Sequence, residues 1–295
     1  MSGPARDQWA EWLLERRFGG EAKGREGILK GLLPWRDRVL GNAAVGEGDV
    51  LLDVGAGDGL IAFGALDLVG ESGRVIFSDV SQDLLDHSRS LAEEMDVAGR
   101  CEFLLAPADD LSALGDASVD AVTTRSVLIY VENKRRAFEE FHRVLGPGGR
   151  LSIFEPINSF RHPEPSHLFM GYDVSPLEDL AGKVRDVYER IQPPDDPMLD
   201  FDERDLFDLA EGAGFGEVHL NYEAEVVSGD TYFGISGWDA FLRVAGNPKI
   251  PTIEEAMNEA LTPEEVERLT SHLRPLVDNA RRKGTLALAY LWAVK

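Results

Sequence analysis

The stretch Leu51–Val69, LLDVGAGDGLIAFGALDLV, limits what this chain can fold into more than any other. It opens in an apolar run of strand character, Val50–Val54, and turns through glycines at alternate positions, Gly55, Gly57 and Gly59. A largely apolar segment of helical length follows, with Leu60, Ile61, Phe63, Gly64, Leu66 and Leu68 available to pack on a sheet. Strand, glycine turn and helix in succession form the ligand-binding corner of a doubly wound α/β domain, because backbone free of side chains can approach a ligand closely. A dinucleotide fingerprint there needs Gly-x-Gly-x-x-Gly. Leu60 stands where the third glycine belongs, so the pattern is Asp-x-Gly-x-Gly-x-Gly from Asp53 to Gly59.

Downstream, strand and helix signals alternate, which predicts parallel pairing through crossover helices. Arg74–Asp79 reads as the second strand, Ser81–Met95 as its helix, Cys101–Leu105 as the third strand and Val119–Thr124 as the fourth. Asn133–Leu145 reads as a helix with Ala137, Phe138, Phe141, Val144 and Leu145 on one stripe. Gly146-Pro147-Gly148-Gly149 stops it in a tight turn before the fifth strand, Arg150–Phe154. Asp202–Ala213 is a helix ended by Gly214, Glu217–Val227 a strand, and Thr285–Val294 a seventh strand predicted to insert antiparallel.

Three segments lie outside that rhythm. Residues 7–17 carry Trp9, Trp12, Leu13 and Arg16 at helical spacing, and Ile28–Leu40 continues with Leu29, Leu32, Leu33, Trp35 and Val39, the two being broken by Gly19, Gly20 and Gly24. Between residues 157 and 200 the prolines Pro163, Pro165, Pro176, Pro193, Pro194 and Pro197 punctuate an insertion that reads as a binding loop. A second insertion, 228–283, contains helices at Trp238–Ala245, Ile253–Ala260 and Pro263–Arg282. The last begins at Thr262-Pro263-Glu264-Glu265: a capping threonine, proline at the first helical position and acids in the first turn.

With these motifs the chain resembles the class I S-adenosylmethionine-dependent methyltransferases, over roughly Asp49–Pro156. The first motif has the family's form, and Asp79 ends the second strand 20 residues beyond Gly59. Ala106-Pro107-Ala108-Asp109-Asp110-Leu111 stands where the family has Gly-Asp-Ala-acid-x-Leu, with Pro107 replacing the usual aspartate. Val119–Ser126 resembles the fourth strand and its loop, and Arg143-Val144-Leu145-Gly146-Pro147-Gly148-Gly149 matches the joint R-V-L-K-P-G-G except at Gly146. The resemblance implies a Rossmann-like doubly wound seven-stranded sheet with an antiparallel last strand, a helical N-terminal lid and helical insertions. The expected division is an N-terminal helical cap at 1–48, a cofactor-binding core at 49–156, and the rest of the sheet at 157–295 with substrate-side insertions at 157–200 and 228–283.

It also implies S-adenosylmethionine as cofactor. Asp53 with the carbonyls around Gly55, Ala56 and Gly57 is expected toward its ammonium, Asp79 and Val80 toward the ribose and its surroundings, and Ala108 and Asp109 toward the adenine. Arg125 and Ser126 are expected at the methionine end. Transfer from a sulfonium discharges a cation in line, so neither a metal nor an oxyanion hole is required. Candidate general bases are His162, His167 and Tyr130; Tyr130, Arg161 and Tyr172 are candidate acceptor contacts.

Thirty basic against 53 acidic residues leave a formal charge of −23. That balance argues against nucleic acid or an anionic membrane as partner, since both require a cationic face. The single Cys101 provides no internal disulfide and no Cys/His metal spacing, which fits a reducing cytoplasm. No signal peptide is expected, and the longest apolar run, Leu286–Val294, is nine residues against the roughly 20 needed to span a bilayer. Thr124-Arg125-Ser126-Val127 follows the fourth strand where amino methyltransferases carry (Asp/Asn)-Pro-Pro-aromatic, cytosine C5 enzymes a cysteine and catechol-type enzymes a metal-binding aspartate. The expected activity is metal-free methyl transfer to a small or medium organic acceptor, as in the ubiquinone/menaquinone-biosynthesis type. Alternatives are cofactor binding without turnover, a peptide acceptor and, third, a nicotinamide-dependent oxidoreductase. Oxygen, nitrogen and carbon acceptors all stay open, and the helical prefix and second insertion offer apolar faces for a homodimer.

Overall fold

The computed structural model describes residues 6–18, 22–230, 235 and 237–295. The chain opens with α1 (Gln8–Leu14) and α2 (Ala22–Asn42). Then come β1 (Val50–Val54), α3 (Leu60–Val69), β2 (Arg74–Asp79), α4 (Gln82–Glu94), β3 (Cys101–Leu105), β4 (Val119–Arg125), α5 (Lys134–Val144) and β5 (Leu145–Pro156). A short hairpin, β6 (Leu168–Phe169) and β7 (Tyr172–Asp173), leads to α6 (Glu178–Ile191) and α7 (Glu203–Ala213). The chain ends with β8 (Glu217–Asp230), α8 (Trp238–Leu242), α9 (Ile253–Ala260), α10 (Pro263–Asp278) and β9 (Arg282–Val294).

Seven strands form one sheet in the order β3-β2-β1-β4-β5-β9-β8. The pairs β1–β2, β2–β3, β1–β4 and β4–β5 are parallel, and β9 runs antiparallel to β5. The expected seven-stranded sheet with its antiparallel last strand is therefore present. Because β2 and β4 flank β1, the chain reverses direction across the sheet there, and a ligand crevice opens outside the carboxyl ends of those strands. The central strands are apolar and buried, as parallel strands covered on both faces must be. Local signals start the helices: Ser81 accepts from the Leu84 amide, Asn133 from Arg136, and Asp202 and Asp205 form a reciprocal capping box.

The chain divides into two compact units. One comprises Met1–Gly31, Arg161–Asp196 and Ala224–Leu286; the other comprises Leu32–Phe160, Pro197–Glu223 and Ala287–Lys295. The sheet-containing unit is built on Leu52, Val54, Phe138, Phe141, Leu145 and Leu291. The helical unit buries Phe169, Tyr172, Val184, Trp238, Leu269 and Leu273. Among the described residues no helix is long and apolar enough to cross a membrane.

Several local expectations are corrected. The insertion at 157–200 is not all loop, because α6 occupies 14 of its residues with Leu180, Ala181, Val184 and Val187 buried. Pro176 precedes that helix and Pro193 and Pro194 follow it, so the prolines delimit the helix instead of breaking it. Gly24 lies within α2 rather than ending it; Gly19 and Gly20 lie outside the described residues. The helix expected at Trp238–Ala245 stops at Leu242, and that at Pro263–Arg282 stops at Asp278, where Ala280 takes φ +49° and β9 begins at Arg282. Gly146–Gly149 falls inside β5 rather than before it, but as a turn-like bulge: the register passes from Val119 opposite Leu145 to Ala121 opposite Arg150, Gly148 takes φ +75°, and its amide donates to the Lys295 carbonyl while Lys295 donates to that of Gly149.

The start of α10 has the cap its sequence announces, with Thr262 and Glu265 exchanging side-chain and backbone bonds. Thr262→Ala is expected to lower stability by about 1 kcal/mol, read as a shift in urea midpoint without a change in slope.

Candidate active site

Parallel register brings the ends of β1 and β2 level, with Val54 opposite Ser78. From that position the Asp79 carboxylate reaches the glycine turn: one oxygen accepts from the Gly57 amide at 2.8 Å and the other from the Ser81 amide at 2.9 Å. The Ala56 amide donates to the Ser78 carbonyl at 2.9 Å. Gly55 has φ +66°, and a Cβ there would come within 2.3 Å of Val127 Cγ2. No L side chain fits, so main chain and Val127 share the floor of the crevice. Gly59, at φ +83°, starts α3, and a Cβ on it would strike the Phe63 ring at 2.4 Å.

Asp53 lies beneath the turn rather than at its surface, 2% exposed, with its carboxylate accepting from Thr123 Oγ1 at 2.8 Å. Burial pushes its carboxyl up to about 7, against the Thr123 bond and the Arg125 charge. Arg125 closes β4 half-buried; burial lowers its pKa while Asp58, Asp53, Glu155 and Tyr130 act in the opposite sense. Ser126 follows in the left-handed region at φ +56°, a conformation costing about 1–3 kcal/mol outside glycine. Tyr130 sits half-buried at the end of the short helical turn Leu128–Tyr130.

Val80, next to Asp79 just past β2, and Leu105, the register partner of Asp79 at the end of β3, are large apolar side chains left 50% and 55% exposed. Ala108 is buried and Asp109 half-buried in the loop that follows. A brace holds that loop to α5. Glu140 accepts from the Leu111 amide at 2.9 Å and from Arg143, which also donates to the carbonyls of Leu111 and Leu114 and to Asp116.

The remaining candidates belong to the helical unit. Arg161 donates to Thr285 Oγ1. His162 is half-buried and His167 exposed, its carbonyl accepting from the Val174 amide. Tyr172, a candidate acceptor contact by sequence, is fully buried, its ring edge-on to Phe241 at 5.6 Å, so it packs in the core of the helical unit.

Two polar residues of the site escape the sequence reading. Glu155, 0% exposed, accepts from the amides of Val127 and Leu128 at 2.9 Å each, and burial pushes its carboxyl up to about 7. Thr123 carries the bond to Asp53. The available signal was a carboxylate closing the apolar run Leu151–Phe154, one residue past the predicted strand end.

Raised carboxyl pKa values set a sign for stability. Between its ordinary 3.8 and about 7, Asp53 keeps in the folded state a proton that the unfolded chain has lost, so its contribution falls as pH rises through that window and is level above it. Asp53→Asn is expected to flatten that decline by up to about 3 kcal/mol, compared with wild type in urea unfolding between pH 4.5 and 8.

Residues 52–153 match the family model described as a methyltransferase domain. The ubiquinone/menaquinone biosynthesis C-methyltransferase UbiE of Klebsiella pneumoniae is 28% identical over 201 residues, 66% of this chain and 77% of that protein. UbiE of a Marinomonas species is 31% identical over 139 residues, covering 47% and 53%. Among solved structures, one from Bacillus halodurans C-125 has a TM-score of 0.54 at 18% identity, covering 88% of this chain and 98% of that one. The YcgJ protein of Bacillus subtilis has a TM-score of 0.53 at 16% identity, covering 88% and 97%. Glycine turn, level carboxylate, sheet order and these likenesses agree: residues 52–153 form a methyltransferase domain, and the chain is similar to the S-adenosylmethionine-dependent methyltransferases of the UbiE type.

Proposed function

We propose that this methyltransferase acts on a small or medium organic acceptor without a metal, and that its cofactor lies across the carboxyl ends of β1, β2 and β4. The observation that carries this reading is the bare turn at Gly55 and Gly57, tied to the Asp79 carboxylate. Such a cradle fits a ligand carrying vicinal hydroxyls, which a carboxylate accepts in pairs.

Asp79 would hold the ribose hydroxyls, Val80 and Ala108 would cover the adenine with Asp109 at its edge, and Asp53 would lie beneath the ammonium. Arg125 is the cation at the turn end of β4 and would take the carboxylate, with Ser126 beside it. Its guanidinium lies in the field of Asp58, Asp53 and Glu155, which keeps it charged for a carboxylate ligand. When bound, S-adenosylmethionine supplies a methyl group on a sulfonium sulfur, a leaving group that needs no Lewis acid. The protein's part is to hold an acceptor atom in line at about 3 Å, where effective molarities of about 10⁵–10⁸ M are reached. An acceptor needing deprotonation would also use a base, worth about 10²–10⁴; Tyr130 is the candidate in the sheet-containing unit, with His162 and His167 in the other. The names of the UbiE relatives favour a carbon acceptor.

Calorimetric titration of S-adenosylhomocysteine should give micromolar binding, and Gly55→Ala should weaken it at least tenfold while the far-ultraviolet spectrum is kept. Wild-type protein that does not bind at millimolar concentration would discard the reading. Because an ammonium favours ionised Asp53, binding of S-adenosylmethionine should release a proton near neutrality. Its affinity should rise as pH climbs through about 7 and then level, and Asp53→Asn should abolish that rise.

A further inference from the structure

We propose that Glu155 is a positioning residue for the cofactor: its buried carboxylate holds the turn Ser126–Leu128 in a strained form that seats Val127 against Gly55. This rests on reading the glycine turn, Arg125 and Ser126 as the cofactor's cradle.

Three features of that turn support it. First, Ser126 sits at φ +56°, a conformation an L residue leaves unless its neighbours are held. Its amide donates to the Phe154 carbonyl at 2.8 Å, and the next two amides, of Val127 and Leu128, both donate to Glu155 Oε1 at 2.9 Å. Three consecutive N–H groups are thus pinned to the last residues of β5. Second, the clamped Val127 side chain defines the space above Gly55, where one added carbon would lie 2.3 Å from it. A small rotation of the turn would move the valine into the crevice or away from it.

Third, Glu155 is a costly way to tie a loop. Its Oε2 is buried and has no hydrogen-bond partner among the described residues, and burial pushes the carboxyl up to about 7 despite the Arg125 charge. An apolar residue here would satisfy the core but leave two amides unpaired and release Ser126. The cost and the strain therefore converge on the geometry of one turn, and that turn borders the cofactor's cradle.

The test is the dissociation constant of S-adenosylhomocysteine for folded variants, with melting temperature measured in parallel. Glu155→Gln keeps Oε1 as acceptor and should bind within threefold of wild type. Glu155→Ala should bind at least tenfold more weakly. In the Glu155→Ala background Ser126→Gly should recover most of that loss, because glycine holds φ +56° without a clamp; the double variant is compared with Ser126→Gly alone, so that any loss of the Ser126 side chain itself cancels and only the effect of the clamp is read. A purely structural role would lower the melting temperature of Glu155→Ala without moving the constant and without rescue at 126. If Glu155→Ala does not fold, Glu155→Asp decides: its shorter arm should cost at least tenfold where Glu155→Gln does not. Wild-type affinity in the alanine or aspartate variant, or absence of rescue by Ser126→Gly, overturns the proposal while wild-type binding leaves the cofactor site standing. Failure of the wild type itself to bind strikes the cofactor reading instead.

Discussion

The hydrogen bond from the Gly57 amide to Asp79, 2.8 Å long, is the interaction around which the rest of the sheet-containing unit is arranged. It exists only because β1 and β2 pair in parallel and end level, and only because the turn after β1 carries no side chain between the amide and the acid. The register depends in turn on apolar strands buried on both faces, where a slip by one residue would turn buried side chains outward. Core packing thus sets the position of a carboxylate to within a hydrogen bond's tolerance.

Electrostatics of the same region run against stability. Asp53 and Glu155 are both buried carboxyls pushed up to about 7, and Arg125 is the cation their charges share with Asp58. A fold selected only for stability would not gather acids where water cannot reach them, since burying an ionised group is expensive. A ligand with an ammonium at one end and a carboxylate beside it gives that arrangement a purpose. On the reading proposed above, the surplus acid would meet the ammonium and the half-buried arginine the carboxylate. The acidic surplus of the whole chain, −23, is a separate matter of surface and solubility.

Chain segments that carry their own punctuation were legible in advance. The first three strands lie where alternation and turn residues set them, and α10 starts at its threonine, because capping and glycine turns act over a few residues. The prolines of residues 157–200 misled: counted as breakers, they concealed α6, whose apolar stripe matters only once α9 and α10 are there to cover it. Tyr172 misled for a related reason. An aromatic residue in an insertion offers equally a ligand contact or a core side chain, and Phe241, nearly 70 residues away, decides for the core.

From sequence alone come the class of fold and the glycine turn, since both are written in contiguous motifs whose physics is local, and, through the resemblance those motifs carry, the cofactor. Only the tertiary structure brings Glu155 under the amides of Val127 and Leu128, Thr123 onto Asp53 and Val127 over Gly55. These contacts join residues 27 to 72 positions apart, and no periodicity or spacing encodes them. Strand pairing creates them, and with them the burial that moves the carboxyls toward neutrality.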